Sequence, residues 1–465
     1  MAGKTAALER FIEPKMQIDE SRKLISNKFL KDMIIPLFIE QLLVMVVGLA
    51  DTMMVSHAGE ATVSGVSLDT MVYTIFLYIF TALATGGAVV VSQYIGSKDR
   101  DNAIGASSLM TQIAVVISLI CMLLMVLFGN GLLQLLYPSV EPDVMDACRV
   151  YLRIVTWSFP ANALYNVGAA LYRSTGKTAV TMKVSLAMNL VNVVGNAIGV
   201  FVLHAGAAGV AWPTTISWYF AAACMMYLCS KKDEEVYIDW PLTLKPDFAM
   251  SARILKIAIP NSVENGLFQL SKVILGSLVA TFGTSQIAAN GIGQTIWSLA
   301  ATIMVAMSPV FITVTGQCMG ASDPEAAEYY IRKLLRLSVL LSGIWNILIA
   351  AILPLLLPLY DISSETRRYI IIIVIIHNIF CGLVSSFTGP LSGGLRAAGD
   401  VRFTMFAAIF STVICRVFFS FLVGKWLGLG VIGIAIAMVM DWCIRSAIQW
   451  ARFLGGKWKT MKVIG

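Results

Sequence analysis

The chain has 465 residues, 58% of them hydrophobic and only 13% charged, with a formal net charge of +7. Soluble domains carry about a quarter charged residues, so this composition excludes that class. The basic excess flanks apolar runs instead of forming a stripe, which speaks against a nucleic-acid surface, and eight scattered cysteines without a C-x-x-C speak against a disulfide framework or a zinc site.

Residues 1–32 are polar and charged and read as a cytoplasmic tail; the first apolar run is of full span length, so no secretory signal is expected. Twelve spans follow, near 33–55, 64–95, 104–128, 148–171, 180–203, 208–229, 254–282, 288–318, 330–357, 366–392, 404–424 and 431–454. Runs of roughly 20 residues fit helices, not the alternating segments of about ten residues of a membrane β-barrel. The expected fold is all-α: a polytopic membrane protein with an N-lobe at 33–229, a basic cytoplasmic linker at 230–253, a C-lobe at 254–454 and a cytoplasmic tail at 455–465.

The first span holds two carboxylates. Asp51 lies eleven residues after Glu40, which at about 100° per residue places both near one face, about three turns apart. A charge near the bilayer centre costs at least about 2.5 kcal/mol on insertion scales, so such groups usually mark ion or proton paths. Asp69 opens the second span, either as a solvated cap or as a lining of the outward mouth. The fourth span contributes Asn166. The fifth carries Asn189, Asn192 and Asn196 at i, i+3 and i+7, one helix face. Those amides serve either an ion or helix–helix hydrogen bonding. The sixth adds Thr214 just after Pro213, where a proline frees a backbone carbonyl.

The seventh span reads IPNSVENGLFQLSKVILG. Asn261, Glu264, Asn265, Phe268 and Lys272 form a polar stripe within about 100° of arc. Glu40 and Glu264 each follow a helix-starting proline by four residues, so helix-dipole complementarity in the first turns competes with a cavity role for both. Lys272 needs a partner or a wet cavity, and pairing with Glu264 stays open. Phe268, Trp297, Met304 and Met307 offer either a soft cavity wall or plain packing.

Lysine and arginine concentrate in the N-terminal tail, alternate loops and the C-terminal end. The opposite side holds only Arg149, Arg153, Arg367, Arg368 and Lys425, while Lys272 and Arg416 fall inside spans. Both termini are therefore expected in the cytoplasm, as an even span count requires. The halves also repeat. LKDMIIPLFIEQ at 30–41 matches LKIAIPNSVEN at 255–265, and SQYIGSKDRDNA at 92–103 matches TGQCMGASDPEAA at 315–327. LYRSTG at 171–176 matches LRAAG at 395–399, and AGVA at 208–211 matches IGIA at 432–435. Six spans per half predict two lobes related by a pseudo-twofold axis along the membrane normal, a plan typical of transporters.

With Pro36, VGLADTMMVSHAG, SQYIGSKDRDNA, ALYRSTGKT and GGLRAAGD in this order, the chain resembles the multidrug and toxic compound extrusion (MATE) transporters over about residues 30–455. The resemblance implies efflux of amphipathic, often cationic, small molecules by H⁺ or Na⁺ antiport, with alternating access between V-shaped halves and no further cofactor. It places Asp51 on the family's cation-coupling aspartate, with Asn166, Asn192, Asn196 and Thr214 around it; Na⁺ would sit at Asp51, Asn192, Asn196 and Thr214. Position 196 is often Asp in bacterial members and is Asn here. A second branch of the family uses a C-lobe carboxylate pair that would fall on Phe268 and near Ser385, where neither is acidic, so coupling is expected in the N-lobe.

Glu40, Asp69, Glu264, Asn265, Phe268 and Lys272 are left as cavity or gating candidates. No enzyme is expected: His57, His204 and His377 form no H-E-x-x-H, and no nucleophile elbow or phosphate loop is present. The expectation is a monomeric, multi-pass exporter in the plasma membrane. The rival is a lipid or lipid-linked precursor flippase of the same superfamily.

Overall fold

Inside hydrocarbon a chain must satisfy its own backbone N–H and C=O groups, and the apolar runs do so as long helices. The computed structural model describes residues 12–16, 18–138, 140–359 and 362–464, and no strand occurs among them. The helices are α1 (Asn27–Ser56), α2 (Glu60–Gly96), α3 (Arg100–Leu136), α4 (Pro142–Val155), α5 (Phe159–Ser174), α6 (Thr178–Ala197), α7 (Gly206–Cys229), α8 (Phe248–Val279), α9 (Thr284–Ala300), α10 (Thr302–Gly320), α11 (Pro324–Leu356), α12 (Ser364–Ala397), α13 (Val401–Phe410) and α14 (Gly430–Leu454). Of the twelve predicted spans, the fourth is split into α4 and α5 by a 3₁₀ turn at Thr156–Ser158, and the eighth into α9 and α10 at Ala301. Nine segments among the described residues are long and apolar enough to cross a membrane by composition. The other three spans fall on α4–α5, α7 and α8, which carry Asn166, Thr214 and the Glu264–Lys272 stripe. Polar site residues lower the apolar signal of the helices that hold them.

The chain forms two units: residues 31–262, called the N unit, and the described residues up to Leu30 together with those from Val263, called the C unit. The repeated motifs take the same local form in each. In SQYIGSKDRDNA, Lys98 adopts φ 59° and Asp99 N donates to Tyr94 O, ending α2; the Asp99 carboxylate then accepts from Asn102 N and starts α3. In the second copy Ser322 adopts φ 58°, Asp323 N donates to Cys318 O, and Asp323 accepts from Ala326 N. Each motif is a left-handed C-cap followed at once by an acidic N-cap.

Glycine is required at a second repeated feature. A Cβ on Gly199 would lie 2.0 Å from Gly209 O, and one on Gly433 would lie 2.7 Å from Gly424 Cα. Small residues let helices approach this closely in membranes. Both contacts adjoin π-helical turns, Ile198–Val202 after α6 and Ser420–Trp426 after α13, the latter following a first π segment at Ser411–Phe418.

In the C unit the segment before α1 is strapped to α11. Arg22 donates to Asp323 at 2.5 and 2.8 Å and to Glu325 at 2.7 Å; Ile25 N donates to Tyr330 Oη at 3.0 Å; Lys333 pairs with Glu13 and donates to Asn27 at 2.8 Å. The Arg22 hydrogen bond holds the Asp323 carboxyl below its ordinary value of 3.8.

Candidate functional site

In the N unit, α1, α6 and α7 bring four predicted residues together. Asn196 Nδ2 donates to Asp51 Oδ1 at 2.9 Å and to Asn192 Oδ1 at 3.2 Å, and Asn192 donates to Thr214 Oγ1 at 3.3 Å. With the Asn192 amide turned over, its nitrogen instead donates to both Asp51 oxygens, at 3.0 and 3.1 Å. Asp51 is half-buried and Asn196 fully buried. Asn196 Oδ1 is buried without a hydrogen-bond partner among the described residues. A carboxylate, amide oxygens and a hydroxyl are hard oxygen donors, the set that Na⁺ or a proton requires.

Other predicted residues lie elsewhere. Asn166 is bonded to Asn162 on its own helix and accepts from Thr81 at 3.2 Å, outside the Asp51 network. Asp69 is not a solvated cap: it is fully buried, because α2 starts nine residues earlier, at Glu60. The first-turn reading of the two glutamates also fails. Pro36 and Pro260 lie inside α1 and α8, which start upstream at Asn27 and Phe248. Each glutamate is instead held by an arginine from the last turn of a helix. Arg173 at the end of α5 donates to Glu40 at 2.8 Å, with Thr181 also donating to Glu40 at 3.1 Å. Arg396 at the end of α12 donates to Glu264 at 2.9 Å. The two arginines occupy equivalent places in LYRSTG and LRAAG, so the ion pair is duplicated with the halves.

In the C unit this pair opens a longer network. Glu264 also faces Arg445 at 3.7 Å; Arg445 meets Asp441 at 3.2 Å; Asp441 meets Arg416 Nε at 3.1 Å. Glu264 therefore pairs with arginines and not with Lys272. Lys272 lies over the Phe268 ring, 5.0 Å from its centroid, and the Arg416 guanidinium lies 4.6 Å from the same centroid. A cavity of about 290 Å³ is lined by Lys272, Asn290, Gln294, Trp297, Arg416 and Met438 among others. A smaller one of about 100 Å³ shares Trp297 and Arg416 and adds Glu264, Phe268 and Met304. Met307, by contrast, is wholly buried in the core. Asn265 is half-buried on α8.

The sequence profile of the MatE family matches residues 36–198 and 260–422, one stretch in each half. The chain belongs to the MATE family. MATE proteins are membrane transporters and not enzymes. The chain is 26% identical to the uncharacterized transporter YisQ of Bacillus subtilis, over 91% of this chain and 93% of that one. It is 24% identical to the probable multidrug resistance protein NorM of Thermotoga maritima, over 97% and 96%. Among solved structures it resembles an outward-facing multidrug resistance MATE transporter of the MOP superfamily, with TM-score 0.82, 19% identity and 96% of each chain covered. It likewise resembles a MOP superfamily transporter from Pyrococcus furiosus, with TM-score 0.85, 19% identity, and 96% and 100% covered. These likenesses give the MATE fold to the whole chain.

Sequence reasoning missed the ion-pair partners in this MATE chain: Arg173, Arg396, Asp441 and Arg445, and the place of Arg416. Signals were present. Arg173 and Arg396 recur in the internal repeat, and Asp441 and Arg445 stand at i and i+4 in the last span.

Proposed function

We propose that the protein is a secondary active multidrug exporter driven by H⁺ or Na⁺ antiport through Asp51, with alternating access. It would act as a monomer in the plasma membrane with both termini cytoplasmic, on amphipathic small molecules, often cationic. The observation that carries this reading is the junction of Asp51 with Asn196, Asn192 and Thr214 in the N unit. The multidrug names of several relatives support it.

The geometry suggests how neutralisation reaches the helices. While Asp51 is charged, the Asn196 amide N–H donates to it. A proton on Asp51 Oδ1, the oxygen that Asn196 faces, turns that atom into a donor, and the amide then answers by presenting its unbonded oxygen. A bound Na⁺ asks for the same oxygen. Either event reverses a buried hydrogen bond between α1 and α6 and so shifts their packing.

Ethidium efflux from proteoliposomes, with H⁺ and Na⁺ gradients imposed separately, tests the reading. Wild type is expected to export under one gradient, and Asp51→Asn to lose export while remaining folded in the membrane. Export unchanged in that variant would sink the coupling role. A second reading, the lipid or lipid-linked precursor flippase, is favoured by the cations of the C unit. Labelled-phospholipid scrambling in the same vesicles would support it.

A further inference from the structure

The exporter reading leaves the C unit's positive charge unexplained. Four cations, Lys272, Arg396, Arg416 and Arg445, stand with two carboxylates, Glu264 and Asp441. Glu264 is taken by Arg396 and Arg445, and Asp441 by Arg445 and Arg416. Lys272 forms no ion pair among the described residues; it rests on the Phe268 ring. The cavity of about 290 Å³ has both Lys272 and Arg416 in its wall and no carboxylate there. Arg416 is only 2% exposed, and its Nη2 has no hydrogen-bond partner among the described residues. On α9, Asn290 and Gln294 stand four residues apart and bring amide donors to the same wall; the Gln294 amide nitrogen donates to the Met438 sulfur at 3.6 Å. Trp297, stacked on Trp442 at 5.9 Å, supplies an apolar surface beside them.

We propose that this cavity is an anion subsite: Lys272 and Arg416 bind the carboxylate, sulfonate or phosphate group of an amphipathic ligand whose aromatic or apolar body lies against Trp297. Arg416 lines the cavity with a guanidinium that is not saturated, and an oxyanion gives such a group a charge-assisted bond. Arg416 shares the Asp441 carboxylate with Arg445, and Lys272 has no carboxylate beside it among the described residues, so an anionic guest supplies the missing counter-charge. The proposal deepens the exporter reading by naming a ligand class. It takes the substrate past organic cations to anions and zwitterions. The anionic group could come from a soluble compound or from a lipid headgroup; the chemistry recognised is the same.

The test uses the full chain in phosphatidylcholine nanodiscs and three naphthalene probes that differ in the head group: 1-naphthalenesulfonate, 1-naphthylmethanol and 1-naphthylmethylammonium. The sulfonate is expected to bind about tenfold tighter than the other two. Lys272→Met should weaken sulfonate binding about tenfold and Lys272→Glu further, with the ammonium probe unaffected or gaining; Lys272→Arg should retain it. Lys272 has no ion-pair partner to orphan, so these variants are expected to keep the wild-type melting temperature. Equal affinity for all three probes, or unchanged sulfonate binding in Lys272→Glu, would overturn the proposal. Repeating the titration with phosphatidylglycerol present identifies the source. Competition assigns the site to a lipid headgroup; its absence assigns it to a solute. The measurement needs no ion gradient, so failure here is separable from failure of Asp51 coupling.

Discussion

Positions about 224 residues apart, the spacing of Pro36 and Pro260, carry the same scaffold and different chemistry. Asp51 corresponds to Leu275, Asn192 to Arg416 and Thr214 to Met438. In the N unit these places form one carboxylate among amides and a hydroxyl. In the C unit they line a cavity whose fixed charges are cations. The caps, the glycine contacts and the Glu–Arg pair are common to both. The fold therefore tolerates a change of sign in its interior while the frame around it stays fixed, with the coupling cation proposed for one half and an anionic group for the other.

The largest way to test that shared frame is to remove its ion pairs. Glu264 holds two arginines and Glu40 one. Glu264→Ala should cost about 3–5 kcal/mol of unfolding stability, with Glu40→Ala toward the lower end, because a buried charge loses its partner. Thermal melting of both variants in one detergent ranks them; equal and small losses would mean that the repeated pair does not hold the frame.

A smaller change sharpens the contrast at the polar centres. Asn196→Asp places a second carboxylate beside Asp51. Two neighbouring carboxylates resist joint ionisation unless a cation lies between them. Na⁺ should then raise the melting temperature at about tenfold lower concentration than in wild type. An unchanged Na⁺ response would remove Asn196 from the ion's surroundings.

The smallest effect concerns the strap on α11. The Arg22 bond lowers the Asp323 value in the folded state, so its stabilisation is present above the unfolded value of 3.8 and is lost as pH falls through the lower folded value. Arg22→Ala should lower stability slightly at neutral pH, and the difference from wild type should vanish in acid below that window. A difference that persists there would assign the effect to packing.

The twelve spans, the internal repeat and the Asp51 cluster were legible because apolar length, fixed offset and helical spacing are local properties. Asn189, Asn192 and Asn196 share a face by arithmetic alone. The arginine partners were not legible, since Glu40 and Arg173 lie 133 residues apart and only packing brings them together. Helix starts were misjudged because Pro36 and Pro260 look like N-terminal signals. Here the helices run through them, with long upstream turns that polar residues disguise. The cap alternative for Asp69 failed because α2 likewise starts upstream, at Glu60.

The duplicated Glu–Arg pair has a historical consequence. Glu40 with Arg173 and Glu264 with Arg396 keep the same partners at the same places in two halves whose interiors have diverged. A lock shared by both copies is expected in a single ancestral six-helix unit, before any doubling of its gene. Asp51 and Arg416, which have no like-charged counterpart in the other half, lie outside that shared frame, and a six-helix unit rebuilt from the shared residues is expected to keep the lock.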